Sequence, residues 1–418
     1  MFLFGKRHGK EKVAGVLQRN LLLLGICLMT GSLSACGSDT NVTIPEKEQK
    51  QAMNILDLGE PIRQDTVEEE QNGDLADREV HKDVMGATEA FEMGENADDN
   101  SVVSITISAT GDVTLGTHQE QDYANSFTQA YDQAGDVGYF FENVYPIFAE
   151  DDCTIVNLEG PLTNSVDMRE GQTYSIKGAP AYVDILTAGS VEAAAMGNNH
   201  RLDYKEQGSA DTVALLEQAN ITYAYDDVTG IYETKGIRIG IVSVNEVYWG
   251  YGVEKTLENG IAHLQEEQVD LILACCHWGT EREYYPEDCQ RILGQKCIDW
   301  GADLVIGHHP HVLQGIEEYK GKYIVHSLGN FCFGANRNPE DKDTMIFQQT
   351  FTFVDGVKQQ DQEIQVIPCS ISSVSSRNDF RPTPAQGEEA KRIINRINEM
   401  SLDFGVQLDE NGRVSSVW

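Results

Sequence analysis

The chain has 418 residues and a formal net charge of −36, from 67 Asp and Glu against 31 Lys and Arg. So acidic a composition excludes a nucleic acid as partner, because phosphate contacts need clustered Lys and Arg. It also works against attraction to an anionic membrane surface, so membrane attachment has to come from something other than side-chain charge.

The first residues read as a targeting segment. Lys6, Arg7, Lys10, Lys12 and Arg19 form a basic region ahead of an apolar run from Leu21 to Ala35. That run is short of the ~20 residues of a membrane span and suits a signal peptide over 1–35. Its end, Leu33-Ser34-Ala35-Cys36-Gly37, resembles the lipobox of bacterial lipoproteins. The resemblance implies cleavage before Cys36, acylation of its thiol, and a chain held by lipid at the extracytoplasmic face of the cell membrane. Residues 36–100 form a tether. Between 37 and 100 there are eighteen Asp or Glu against five Lys or Arg, too little apolar surface to offset ordering, so disorder is expected. Residues 101–418 then suffice for one large α/β domain.

Within that domain the alternation of Val103, Ile105, Ile107 and Ala109 predicts a strand over 101–110. A short helix over 140–148 precedes a strand over 153–158. A helix over 179–188 leads to a small-residue strand over 193–196, and a helix over 211–219 to an apolar strand over 238–244. Helices over 256–267 and 289–300 are each followed directly by a strand, 269–276 and 304–306. Another strand covers 322–327, a closing antiparallel pair covers 344–354 and 363–371, and a final helix covers 385–400. Strands alternating with helices and then a run of strands predict a layered α/β sandwich. Seven cysteines lie beyond the tether: Cys153, Cys275, Cys276, Cys289, Cys297, Cys332 and Cys369. Their odd number and unpaired spacing predict no disulfide framework. Cys275 and Cys276 are expected to finish a buried strand, on opposite faces.

Five of these apolar runs stop at metal-ligand side chains: Thr110-Gly111-Asp112, Asn157-Leu158-Glu159-Gly160, Gly197-Asn198-Asn199-His200, His277-Trp278-Gly279 and Gly307-His308-His309-Pro310-His311. Polar strand ends are how an α/β sheet builds a site at its carboxyl edge. Divalent transition metals need imidazoles and carboxylates on rigid elements. Asp112 and Glu159 offer carboxylates, Asn199 an amide oxygen, and His277, His309 and His311 imidazole nitrogens. Pro310 stiffens the turn between the last two. His308 falls outside this set, since the His-x-His pattern needs only His309 and His311. Trp278 is expected to pack beside the site, and 327–331 to form a tight turn with Gly329 at positive φ.

The order Gly-Asp, Asn-Leu-Glu-Gly-Pro-Leu, Asn-Asn-His-x-x-Asp, His-Trp-Gly, Gly-His-His-Pro-His-Val and Ser327-Leu328-Gly329-Asn330-Phe331, spanning about residues 104–335, resembles the CapA family. That family is associated with poly-γ-glutamate capsule production and belongs to the calcineurin-like metallophosphoesterase superfamily. The resemblance implies a four-layer αββα sandwich and one or two divalent ions (Mn, Zn or Fe). It gives Asp112 as a ligand of one metal and Glu159 as the bridging carboxylate. Asn199, His277 and one or both of His309 and His311 would hold the second. His200 would be the general acid or phosphate-contacting imidazole, oriented by Asp203. The superfamily's Asp-x-His block has Thr114 at its third position here, with His118 nearby but outside the pattern. The implied function is capsule polymer synthesis, export or retention at the cell surface, with the anionic polymer or its export machinery as partner. A metal-dependent hydrolase of a phosphoester or of the polymer's amide, and a non-catalytic polymer-binding scaffold, stand as alternatives.

Overall fold

The computed structural model describes residues 101–414, so Cys36, the signal segment and the tether lie outside the described residues. Apolar residues at every second position make the strands, and what each face meets decides the layers. Ile105, Ile107, Ala109 and Ile155 from one sheet meet Ile239, Ile241, Leu271, Leu273, Leu304 and Ile306 from a second in one buried cluster.

The first sheet runs Thr383–Pro384, Val357–Ser370, Asp343–Val354, Val102–Thr114, Cys153–Leu158, Ala193–Ala195 and Thr222–Ala224. Asn330–Phe333 pairs in parallel with the end of Val102–Thr114. The second sheet runs Ile316–Tyr319, Lys322–Val325, Leu304–His308, Leu271–His277, Ile237–Asn245 and Gly230–Thr234. Helices Phe127–Ala134, Val183–Ala188 and Lys205–Gln218 cover the outer face of the first sheet. Val253–Glu266 and Asp288–Trp300 cover that of the second. This is the four-layer αββα sandwich expected. The last helix, Gly387–Met400, instead seals the layer between the sheets with Ile393, Ile394 and Ile397. Among the described residues no helix is long and apolar enough to cross a membrane.

Several local expectations need correction. The helix expected over 140–148 is two pieces, Val137–Phe140 and Tyr145–Phe148, because Pro146 suits only the first turn of a new helix. The helix expected from 211 begins at Lys205; its first turns lack an apolar stripe to betray them. Gly329 does adopt a φ of 72°, but from Asn330 the chain enters a strand rather than continuing the turn. The short strands Thr222–Ala224, Gly230–Thr234 and Ile316–Tyr319 carry too few alternations to stand out in the sequence. Cys275 faces the layer between the sheets and Cys276 the outer helices, as expected. All seven cysteines are free.

One irregularity positions the site. In the Val102–Thr114 strand Ala109 pairs with Ile155 but Asp112 pairs with Asn157, so one extra residue is inserted. The insertion reverses the alternation. Asp112 therefore continues the face of Ile105 and Ile107, and Val113 turns outward into the helix-covered cluster. The bulge is held by Asp112 N–H, which donates to the Gly329 carbonyl at 2.9 Å. A Cβ on Gly111 would lie 2.2 Å from that same oxygen. Gly111→Ala should accordingly lose about 1–3 kcal/mol or more, read by urea denaturation in chelator. An unchanged midpoint would mean that the bulge yields freely.

Candidate metal centre

The carboxyl edges of the two sheets each carry a row of polar register partners. In the first, Asn330, Asp112 and Asn157 lie side by side; in the second, Asn245, His277 and His308 do. Loops leaving the strands add Glu159, the Asn198-Asn199-His200 turn and His309-Pro310-His311. Both histidines of that last turn have left-handed backbones, φ 96° and 57°. Such strain persists where the surroundings over-determine it, and here it brings the two rings to 5.7 Å.

Asp112 is fully buried. Its Oδ1 accepts from Asn157 Nδ2 at 2.8 Å and its Oδ2 from His309 N–H at 3.4 Å. His308 Nδ1 lies 3.2 Å from Oδ1 and His311 Nδ1 3.0 Å from Oδ2. Yet neither nitrogen is aligned for a hydrogen bond, and both stand without a partner. Burial pushes the Asp112 carboxyl up, but the two imidazoles outweigh it and hold it well below the carboxylate range.

Glu159 shows the complementary pattern. Its Oε1 is buried with no hydrogen-bond partner. Three imidazole Nε2 atoms surround it, those of His277 and His311 at 3.8 Å and of His200 at 3.9 Å. These distances are too long for hydrogen bonds. They match donors sharing an ion, since two ligands at about 2.1 Å lie up to about 4.2 Å apart. Burial lifts the Glu159 carboxyl to about 7. Burial would lower His311, but Glu159 and Asp112 lift it to about 9. A bound divalent cation would take over the counter-charge that the His311 proton now supplies.

His277 Nε2 and His309 Nδ1 are 3.1 Å apart. Burial, followed by the charge of His311, lowers His309 to about 3. Burial and His309 lower His277 well below its usual range. Both rings are thus neutral, the form that ligates. Asn199 Oδ1 is another buried acceptor without a partner. Unsatisfied buried acceptors and donors concentrated at one place point to an ion, and this donor set fits a divalent metal.

Beside these groups His200 Nδ1 lies 2.7 Å from Asp203 Oδ2, which also accepts from Ile176 N–H at 2.7 Å. Burial lowers the His200 imidazolium, but Asp203 and Glu159 raise it by more. Glu159, His200 and His311 line a cavity of about 430 Å³, whose exposed wall includes Tyr174, Glu281, Arg282, Tyr284 and Arg337. Among the described residues neither Arg282 nor Arg337 pairs with a carboxylate.

The structure therefore gathers Asp112, Glu159, His277, His309, His311 and His200 with Asp203. Asn199 sits on the His200 turn with its amide oxygen free. Thr114 Oγ1 donates to Glu159 Oε2 at 3.5 Å, and His118 lies on the cavity wall. Trp278 is fully buried and donates to the His326 carbonyl at 2.9 Å, a packing role as expected.

Two residues join the site against or beyond expectation. His308, placed outside the ligand set by the His-x-His pattern, stands against Asp112. Its alternation with Leu304 and Ile306 matches that of His277 with Leu273 and Cys275, a signal present in the sequence. Asn157 is equally legible, two residues after Ile155 on the same face.

Residues 106–335 match the family described as bacterial capsule synthesis protein PGA_cap. The chain is 28% identical over 249 residues to the "PGA biosynthesis protein CapA" of Bacillus subtilis (strain 168), covering 55% of this chain and 63% of that protein. It is 25% identical over 271 residues to the "Capsule biosynthesis protein CapA" of Bacillus anthracis, covering 58% and 63%. The chain thus spans less than two thirds of these relatives. A crystal structure of a hypothetical protein from Thermus thermophilus superposes with a TM-score of 0.39 at 16% identity, covering 63% of this chain and 99% of that one.

Proposed function

This chain belongs to the PGA_cap family of bacterial capsule synthesis proteins, and we propose that it takes part in the synthesis, export or retention of an anionic capsule polymer, poly-γ-glutamate, at the cell surface, its own site working by metal-assisted hydrolysis. The observation that carries this reading is the Glu159 carboxylate, buried, unpartnered and ringed by three imidazoles. Asp112, Glu159, Asn199, His277, His309 and His311 would hold one or two divalent ions. A bound ion would supply Lewis acidity toward the scissile carbonyl or phosphoryl group and toward water. His200, whose imidazolium Asp203 and Glu159 favour against the effect of burial, lines the cavity, where its Nε2 can give a proton to the departing amine or alcohol. Asp203 accepts from Nδ1–H and so orients the ring, which is left as the Nδ1–H tautomer once Nε2 has given up its proton.

Arg282 and Arg337, free of carboxylate partners on an acidic domain, support an anionic substrate at the rim. Attachment through an acylated Cys36, with the acidic tether spacing the domain from the membrane, would place the cavity beside a nascent capsule.

Thr114, a weak donor where the superfamily has an imidazole, favours a second reading in which the site binds polymer without turnover. One experiment separates the two: metal content of the purified protein, then turnover of poly-γ-glutamate and an aryl phosphate after chelation and restoration of Mn or Zn. Metal-dependent chain shortening or phosphate release is expected. Binding of polymer without turnover would leave the scaffold reading, and absence of any bound metal would remove both.

A further inference from the structure

Neither motif nor periodicity gives Glu281 a role, and it is exposed, four residues past His277. In space it meets His309 and His311. One ligand atom from each of the three lies within 4.8 Å of the other two, the same spacing that unites Asp112, Glu159 and His311. The two triads share His311 and otherwise differ; a neutral imidazole has one lone pair to give, so they describe neighbouring cation positions of which His311 can serve one.

Exposed carboxylates near histidines are common, so the backbone around Glu281 matters. Arg282 N–H donates to the Pro310 carbonyl at 2.8 Å, tying this loop directly to the His309-Pro310-His311 turn. One residue further on, the Glu283 carbonyl accepts from Gln314 Nε2 at 2.8 Å. Glu281 thus leaves a loop held by the two residues that follow it, beside the turn that carries His309 and places His311 on the cavity wall. A second pointer is independent of Glu281: Glu159, whose buried Oε1 has no hydrogen-bond partner, lines the same cavity. Thr114, the position that would otherwise add an imidazole, offers a hydroxyl already engaged with Glu159.

We propose that Glu281 is a metal ligand: with His309 and His311 it holds a cation at the cavity mouth, outward of the one held by Asp112, Glu159 and His277, and supplies the donor that Thr114 does not. The proposal rests on the metal-holding reading of the site. It makes the outer position the weaker of the two, because its carboxylate is exposed and water competes for the ion.

The test is a Mn²⁺ titration of the full chain by equilibrium dialysis with elemental analysis, for the parent, Glu281→Gln and Glu281→Ala. The parent should take up one tight and one weaker equivalent. Both variants should weaken the second by about tenfold or more, at least the effect of removing a hydrogen-bond partner of a ligand, and leave the first unchanged. Because Glu281 is exposed, the melting temperature in EDTA should not move, which shows that the loss is not one of folding. Two equivalents bound alike by parent and variants would overturn the role of Glu281 and leave the metal reading standing. A single equivalent in the parent would overturn the outer position. No uptake by the parent would remove the metal reading itself.

Discussion

Glu159→Gln should lower cation affinity about 100-fold or more, at the top of or beyond the range for removing a mere hydrogen-bond partner of a ligand, while making the chelated protein more stable. The two effects have one cause. Without an ion, Glu159 is a buried carboxylate whose Oε1 meets no donor within hydrogen-bonding distance, and burial raises its pKa from 4.5 to about 7. A carboxyl raised in the folded state contributes stability that is fully present below its unfolded pKa and lost as pH rises through its folded one. The parent in EDTA should therefore lose stability relative to the glutamine variant between pH 4.5 and about 7, by on the order of 3 kcal/mol at the upper end. With saturating Mn²⁺ the order should invert, because only the parent gains ligand-binding free energy. Paired urea melts at both pH values, with and without metal, read this out. Equal stability in EDTA together with unchanged metal content would show that Glu159 faces no ion.

His200→Ala should reduce turnover by about 10²–10⁴-fold, the usual contribution of a positioned proton donor, with metal content unchanged. The separation follows from geometry. His200 Nε2 is 3.9 Å from Glu159 Oε1, yet its Nδ1 is committed to Asp203, so the ring is oriented from behind by a carboxylate rather than by a cation. Asp203→Asn should lower the His200 pKa and shift the acid-donating limb of the pH–rate profile downward, with a smaller fall in rate. Initial rates across pH, alongside metal analysis of the same samples, check both. A His200→Ala protein that keeps its rate, or loses its metal, would remove the proton-donor assignment.

The layers and most of the site are legible in the sequence because strands broadcast their faces. Val103, Ile105, Ile107 and Ala109 name the buried side of the first strand, and five polar stops mark where the strands run out. Parity, followed one residue further, also finds Asn157 and His308. What stays hidden has a different origin. The extra residue between Ala109 and Asp112 is invisible because Thr110-Gly111 reads equally well as an ordinary strand end. Glu281 lies in an exposed loop, where no periodicity operates, and tertiary contacts such as that of Arg282 with Pro310 bring it to the histidines. The first turns of Lys205–Gln218 carry no apolar stripe, so their helix is fixed by tertiary packing instead.

The bulge in the first strand makes the ligand set depend on arithmetic as well as on chemistry. Drop a single residue between Ala109 and Asp112, and every ligand type survives in the sequence while the key carboxylate points among the outer helices. A chain can thus keep each motif that marks its kin and still be blank at its centre. Relatives compared only by motif letters would pass as equivalent, whereas the spacing ahead of that aspartate decides which of them can grip an ion.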